Sequence, residues 1–243
     1  MGENKRLIIP AIILGGCFLV SSIILAWTWK SNYNENQTIT VTGSAKQDIV
    51  SNLAILKGTL TAQQTTADAA YRELQKEKPT LVSYLQSKGF PENKINFSAV
   101  SFFAVYQVGA NGYQTTNIKG YTYNQRIEIQ STDVNKIKDL SIDISSLIEK
   151  GVNFRVDMPE YHYTNLADLK IQIQAAAAKD AMVRAEKIAQ ATGRKLGPMC
   201  DARMGVLQIT PKYSNQVSNY GINDITSIDK VITAVVSASF KIE

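Results

Sequence analysis

Residues 164–197 constrain the fold most. Their centre, from Ile171 to Gly193, reads IQIQAAAAKDAMVRAEKIAQATG. Ile171, Ala175, Ala178, Met182, Ala185 and Ala189 recur at alternating steps of four and three, which predicts one stripe along an α-helix. Because most of these residues are alanine, whatever packs on the stripe can approach the helix axis closely. Asp180 and Arg184 stand four apart with the acid first, the favourable order for a solvent-side pair. Asn165 with Asp168 reads as the N-cap, and Gly193 as the left-handed stop. Such a helix is expected to lie on a sheet.

The flanking sequence supplies the sheets. Ile39, Val41, Gly43 and Ala45 alternate with polar partners, and Leu56, Gly58, Leu60 and Ala62 do the same. A helix is expected from about Thr65, with Asp68 as capping partner, Pro79 as a break or kink and Gly89 as its end. Residues 95–108 read as a long strand whose apolar face switches near Ala99, the mark of a bulge. A loop over 109–117 leads to a strand in which Tyr121, Tyr123, Ile127 and Ile129 alternate with polar residues.

The second half repeats this grammar. It offers a helix over 133–150, a strand over 152–158, the Ala-rich helix, a strand over 199–209, a polar loop over 211–229 and a last strand from Ile232 to Ile242. Corresponding elements fall about a hundred residues apart, which suggests a duplicated strand-helix-strand-strand unit with halves at 38–130 and 131–243. Half-polar strands imply antiparallel sheets covered by helices on one face, an α+β fold. Hydrophobic residues at 44% and charged residues at 19% suit a folded chain.

The N-terminus predicts the address. Residues 7–29 form an uncharged, mainly apolar run, long enough at ~1.5 Å per residue to cross a hydrocarbon core of ~30 Å. Lys5 and Arg6 precede it, so the N-terminus is expected in the cytoplasm and the bulk of the chain outside. Trp27 and Trp29 would anchor at the outer interface. Residues 1–30 thus read as a single-pass signal anchor in the cytoplasmic membrane, 31–37 as a linker and 38–243 as an extracytoplasmic domain, periplasmic where an outer membrane exists. Two rivals are a cleaved signal peptide and a lipoprotein signal. The Ala26-Trp27-Thr28-Trp29 end is a poor cleavage site, and Leu14-Gly15-Gly16-Cys17 resembles a lipobox but is followed by apolar rather than polar sequence.

No reactive constellation accompanies these features. His162 is the single histidine, flanked by Tyr161 and Tyr163, and is expected to be packed or surface-exposed rather than catalytic. No phosphate-cradling glycine loop occurs. Asp139 and Asp143 mark the solvated face of their helix. Cys17 falls inside the apolar run and Cys200 stands alone, so no disulfide can form within the outer domain. Cys200 reads as a small buried hydrophobe at a strand start, the alternative being an exposed thiol open to intermolecular pairing. Asn36-Gln37-Thr38 and Asn96-Phe97-Ser98 match glycosylation acceptors, relevant only in a eukaryotic secretory setting. The net charge is +5, but no like-charge run or basic-aromatic cluster follows Lys30, which argues against nucleic acid as a partner. Catalytic, cofactor and metal residues are therefore assigned to none, and the chain is read as a non-enzyme.

Val41-Thr42-Gly43-Ser44-Ala45 with Leu53-Ala54, Gly120-Tyr121 with Asn124, Gly151-Val152-Asn153, and above all residues 175–197 resemble the SIMPL-domain family. The last stretch carries Lys179-Asp180-Ala181, Arg184-Ala185-Glu186-Lys187-Ile188-Ala189 and Gly193-Arg194-Lys195-Leu196-Gly197. The resemblance spans residues 38–243. Ser51-Asn52 departs from the Pro-Asp that members often carry. It implies export, assembly into homo-oligomeric rings in some members and a link to stress tolerance in several, with no established catalytic set.

The expected function is a membrane-anchored cell-envelope scaffold that self-assembles beyond a dimer. Val100, Phe102, Tyr106 and Val108 would need a partner if the other face of their strand covers the helices. The alternative is a binding module for an envelope ligand or partner through the 109–117 and 211–229 loops.

Overall fold

The computed structural model describes residues 3–35 and 37–242, excluding the side chains of residues 3–12 and 30–35. The expectations on Lys5, Arg6, Lys30 and the Asn36 acceptor lie outside the described residues. The fold is mixed α+β, with antiparallel sheets and, among the described residues, four α-helices.

Helix α1 (Glu3–Glu35) is 33 residues long. Every side chain from residue 13 to 29 is exposed, on all sides of the helix. Two of its hydroxyls turn inward on their own backbone: Ser22 Oγ donates to the Phe18 carbonyl at 2.8 Å and Thr28 Oγ1 to the Ile24 carbonyl at 2.7 Å. Among the described residues no helix is long and apolar enough to cross a membrane.

The chain divides into two compact units. One comprises Gln47–Leu169 and Gln208–Ile232. Its main sheet has the order β3 (Ile95–Val108), β4 (Gln114–Ser131), β2 (Leu53–Gln64), β5 (Phe154–Val156), with β6 (Glu160–His162) also on β2. Every pairing is antiparallel. Helices α2 (Ala67–Ser87) and α3 (Val134–Asp143) join this sheet in one core, formed by Leu56, Leu60, Ile127 and Ile129, by Leu74, Leu81 and Leu85, and by Ile137 and Leu140. Each such side chain contributes roughly 1.5–3 kcal/mol on burial.

The N-cap expected for α2 is shifted by one residue. Thr66, not Thr65, is its N-cap, with Oγ1 accepting from the Ala69 amide at 3.3 Å. Asp133 caps α3 by accepting from the Lys136 amide at 3.1 Å. Pro79 does not break α2, which runs through it. The ring sits on the exposed face, where water can take the carbonyl that it leaves without a donor. The helix expected to reach residue 150 becomes a 3₁₀ segment, Ile144–Lys150, after α3. The long 211–229 segment carries a short strand of its own, β9 (Ile222–Asn223), parallel to β8 (Gln208–Pro211).

The other unit comprises Met1–Lys46, Lys170–Leu207 and Thr233–Glu243. It holds residues 38–46 of β1 (Thr38–Val50), residues 233–242 of β10 (Asp229–Ile242), the strand β7 (Leu196–Met204) and all of α4 (Leu166–Ala191) after residue 169. Val41, Ala181, Ala185, Ala238 and Phe240 form its core. The buried line on α4 is Ile173, Ala177, Ala181, Ala185 and Ala189. Only the last two belong to the expected stripe. Ile171 and Met182 are exposed instead. The true line steps by four throughout, so at about 100° per residue it winds around the helix by roughly 40° per step. A twisted sheet beneath the helix selects such a line over a straight stripe. Asp180 pairs with Arg184 at 2.7 Å as expected, and Gly193 ends the helix at φ 71°.

Candidate interaction surface

The prominent surface feature grows from unequal strand lengths. Pairing of β2 with β4 ends at Gln64 opposite Tyr121. Pairing of β3 with β4 continues past it, through Tyr106 opposite Ile118 to Val108 opposite Gln114. Beyond Tyr121 the hairpin is therefore a two-stranded ribbon. Such a ribbon is marginal in water by itself. A register shift around Tyr106 bends it, and another between Phe97 and Val100, within the sheet, confirms the bulge expected near Ala99. Its turn spans residues 109–113, shorter than the expected loop because 114–117 are strand. The Gly109 amide donates to the Tyr113 carbonyl at 2.9 Å, and Gly112 takes the left-handed conformation at φ 79°.

The ribbon is apolar, aromatic and uncovered. Tyr106, Val108, Tyr113 and Ile118 on the ribbon are all exposed, Tyr113 at 75%, and so are Phe102, at 61%, and Phe103 at its base, where β2 still flanks β4. Adjacent residues point to opposite faces, so Phe102 and Phe103 give each face a phenyl ring. Phe102 stacks on Tyr123 with centroids 5.1 Å apart, and Tyr123 meets Tyr71 at 5.7 Å. Residues 95–118 contain no charged side chain. Lys119 is the one charge between Tyr121 and the turn, so covering this surface strips few ions of their water, which lowers the cost of docking. Exposed apolar patches of this kind mark contact sites.

A buried polar cluster lies elsewhere in the same unit. Lys230 is 2% exposed, and its Nζ donates to the Tyr161 carbonyl at 2.7 Å and to the Asp224 carbonyl. Burial holds its ammonium below the ordinary lysine range, opposed by the nearby charge of Asp224. Burial raises Asp224, but hydrogen bonds from Thr226 and Ser227 and the Lys230 charge outweigh it, so the carboxyl ends below its usual range. His162 lies beside this cluster, half-buried, with Nε2 3.4 Å from Glu160 Oε2. Tyr161, His162, Asp224 and Lys230 border a cavity of about 60 Å³ that Asn223 and Ile225 also line. Small-molecule sites occupy about 300–1,000 Å³. This cavity has room for water and no metabolite. Sequence reading passed over Lys230, although strand phase carried the signal: it lies in step with the buried Ile232 and Ala234.

Cys200 is exposed rather than buried, because β7 lies at the sheet edge and Cys200 falls at a register shift. Asp139 and Asp143 are exposed, and Asp143 pairs with Lys88 at 2.8 Å. Asn96 is exposed on β3. Among the described residues no three His, Cys, Asp or Glu stand together to hold a metal ion.

Comparison with known proteins gives a family and little else. No curated protein matches the chain. Among solved structures, a de novo designed protein, Foldit4, is similar at 10% identity and TM-score 0.23 over 43% of this chain and 93% of that one. A putative aminohydrolase from methicillin resistant Staphylococcus aureus is similar at 9% identity and TM-score 0.24, over 53% of this chain and 32% of that one. A putative amidohydrolase/peptidase from Burkholderia cenocepacia gives 12% and 0.20, over 58% and 34%. The chain thus spans about a third of the length of these two hydrolases. One family model, SIMPL, described as a protein of unknown function, matches residues 39–240, and the chain belongs to that family.

Proposed function

We propose that this protein is a membrane-anchored, non-enzymatic scaffold of the cell envelope that assembles with copies of itself through the β3–β4 ribbon. One observation carries the reading: a ribbon rich in exposed apolar side chains, with Lys119 its single charge, extends beyond its sheet from a base that bears the exposed Phe102 and Phe103. A second copy is the partner of matching chemistry, since each ribbon with its base offers the other a mainly apolar, ring-bearing surface. Bulges at the ribbon's base keep it from being a flat edge open to indiscriminate pairing.

Helix α1 supports the anchoring part. Residues 13–29 carry no charge and are exposed all round, and Ser22 and Thr28 satisfy their hydroxyls on their own backbone, which supports an apolar surrounding for this stretch. The positive residues Lys5 and Arg6 orient it with the large domain outside the cytoplasmic membrane. Tethering raises local concentration and favours lateral contacts. A role in stress tolerance belongs to the same proposal through family membership.

Protease added to intact spheroplasts tests the topology. Digestion of the domain is expected, and protection until lysis overturns it. Sedimentation of the detergent-solubilised full chain tests assembly: a species larger than a dimer is expected, and a monomer overturns it.

A further inference from the structure

Strand β7 is an edge. It pairs with β10 on one side, and among the described residues no strand pairs with its other side. Pro198 to Met204 are exposed throughout. Edge strands usually carry charge to block pairing with other chains. Here the charges have a specific order, Asp201 then Arg203, on one face of the strand and 3.3 Å apart.

We infer that β7 pairs antiparallel with β7 of a second copy about a two-fold axis at Ala202. That register sets Asp201 opposite Arg203 of the other copy, and Arg203 opposite its Asp201, so two opposite-charge pairs form. Centring the axis on Asp201 would set Asp201 against itself, and centring it on Arg203 would set Arg203 against itself. Both place like charges opposite one another, so charge selects Ala202. Its small side chain lets the strands approach at the axis. Ala202 and Met204 lie opposite the buried Ala238 and Val236, on the α4 side of the sheet. A two-fold axis perpendicular to the sheet keeps α4 of both copies on that side, where the exposed Met204 and the Met182 flank of α4 gain apolar cover.

This contact rests on the self-assembly reading and adds to it. An isologous contact closes at two copies. Growth beyond two then requires a different surface, which the ribbon supplies.

The test uses full-length protein in detergent, with Cys17→Ser and Cys200→Ser, carrying Ala202→Cys. Residues opposite each other at such an axis have Cβ atoms about 4.5–5.5 Å apart, close to the span of a disulfide. Mild oxidation is expected to yield a disulfide-linked dimer. Adding Asp201→Arg or Arg203→Asp alone should lower the linked fraction roughly tenfold. Co-expressing the two differently tagged chains should restore it as the mixed dimer, because opposite charges then face each other between chains while the pair within each chain stays broken. Phe102→Glu should leave the linked dimer intact. An Ala202→Cys chain that stays unlinked overturns the edge contact even where larger oligomers persist through the ribbon. So do charge variants that link as well as the parent.

Discussion

Gly43 and Ala181 approach so closely that a Cβ at position 43 would lie 2.7 Å from the Ala181 Cα and nearer still to its amide nitrogen. Both atoms are backbone, so neither side can yield by rotating a side chain. The contact joins β1 to the buried line of α4, and the Ser44 amide donates to Asp180 Oδ2 at 2.8 Å beside it. Gly43→Ala and Ala181→Leu are each expected to destabilise the protein by ~1–3 kcal/mol, the range of overpacking. A change at the exposed Met182 should stay within ~0.5 kcal/mol. Thermal melts decide it, and unchanged melting for both core variants would remove this contact from the core.

The same contact shows what the sequence could reveal. The run of alanines announced close packing, and Gly43 lies in the strand that alternation identified. Phase was not legible. Leu169, Ile173 and the following alanines at steps of four compete with Ile171, Met182 and Ile188 for the inner side, and only the twist of the sheet decides between them. Pro79 read as a breaker because exposure of its ring is a tertiary fact. Phe102 was legible as an unpartnered residue, whereas the early end of β2, which leaves the ribbon bare, depends on pairing and not on pattern. Lys230 went unseen because a lysine inside a buried alternation is explained only by the two carbonyls waiting for it.

Glu77 is buried on α2, and its Oε2 accepts from the Asn153 amide at 2.9 Å. Burial raises its carboxyl above the ordinary glutamate value, with the Asn153 amide working in the opposite direction. The native state therefore binds the proton more tightly than the unfolded chain, and stability falls as pH rises between the two values. Glu77→Gln keeps an acceptor and loses the charge. It should match or exceed the parent at neutral pH and flatten that slope in urea titrations. Glu77→Ala should fall below Gln by ~1–2 kcal/mol, because it strands the Asn153 amide.

Lys57 holds Glu160 at 2.6 Å across the β2–β6 pair. The Lys57 hydrogen bond draws the Glu160 carboxyl below its usual range, against burial and with help from His162. A depressed carboxylate contributes stability above its ordinary value and loses it as pH falls through the depressed one. Both side chains are partly solvated, so the pair is worth at most ~1 kcal/mol at pH 7. Lys57→Met should cost that much or less at neutral pH and narrow the gap to the parent in acid. A gap that does not narrow contradicts the assignment.

Lys230→Met keeps the length of the side chain and removes both donations, to Tyr161 and to Asp224. Stranding these carbonyls should cost ~1–3 kcal/mol. Limited proteolysis should show faster cutting within residues 211–229, since Lys230 fixes Asp224 in place. Cutting at the parental rate would deny it that role.

Assembly through the ribbon is the central claim, and the mass of the detergent-solubilised full chain tests it most directly. The monomer weighs 26.8 kDa. Sedimentation at micromolar concentration, corrected for bound detergent, should give more than two copies for the parent and no more than two for Phe102→Glu, with both folded by circular dichroism. A monomeric parent, or a Phe102→Glu oligomer of parental size, contradicts the ribbon as the contact.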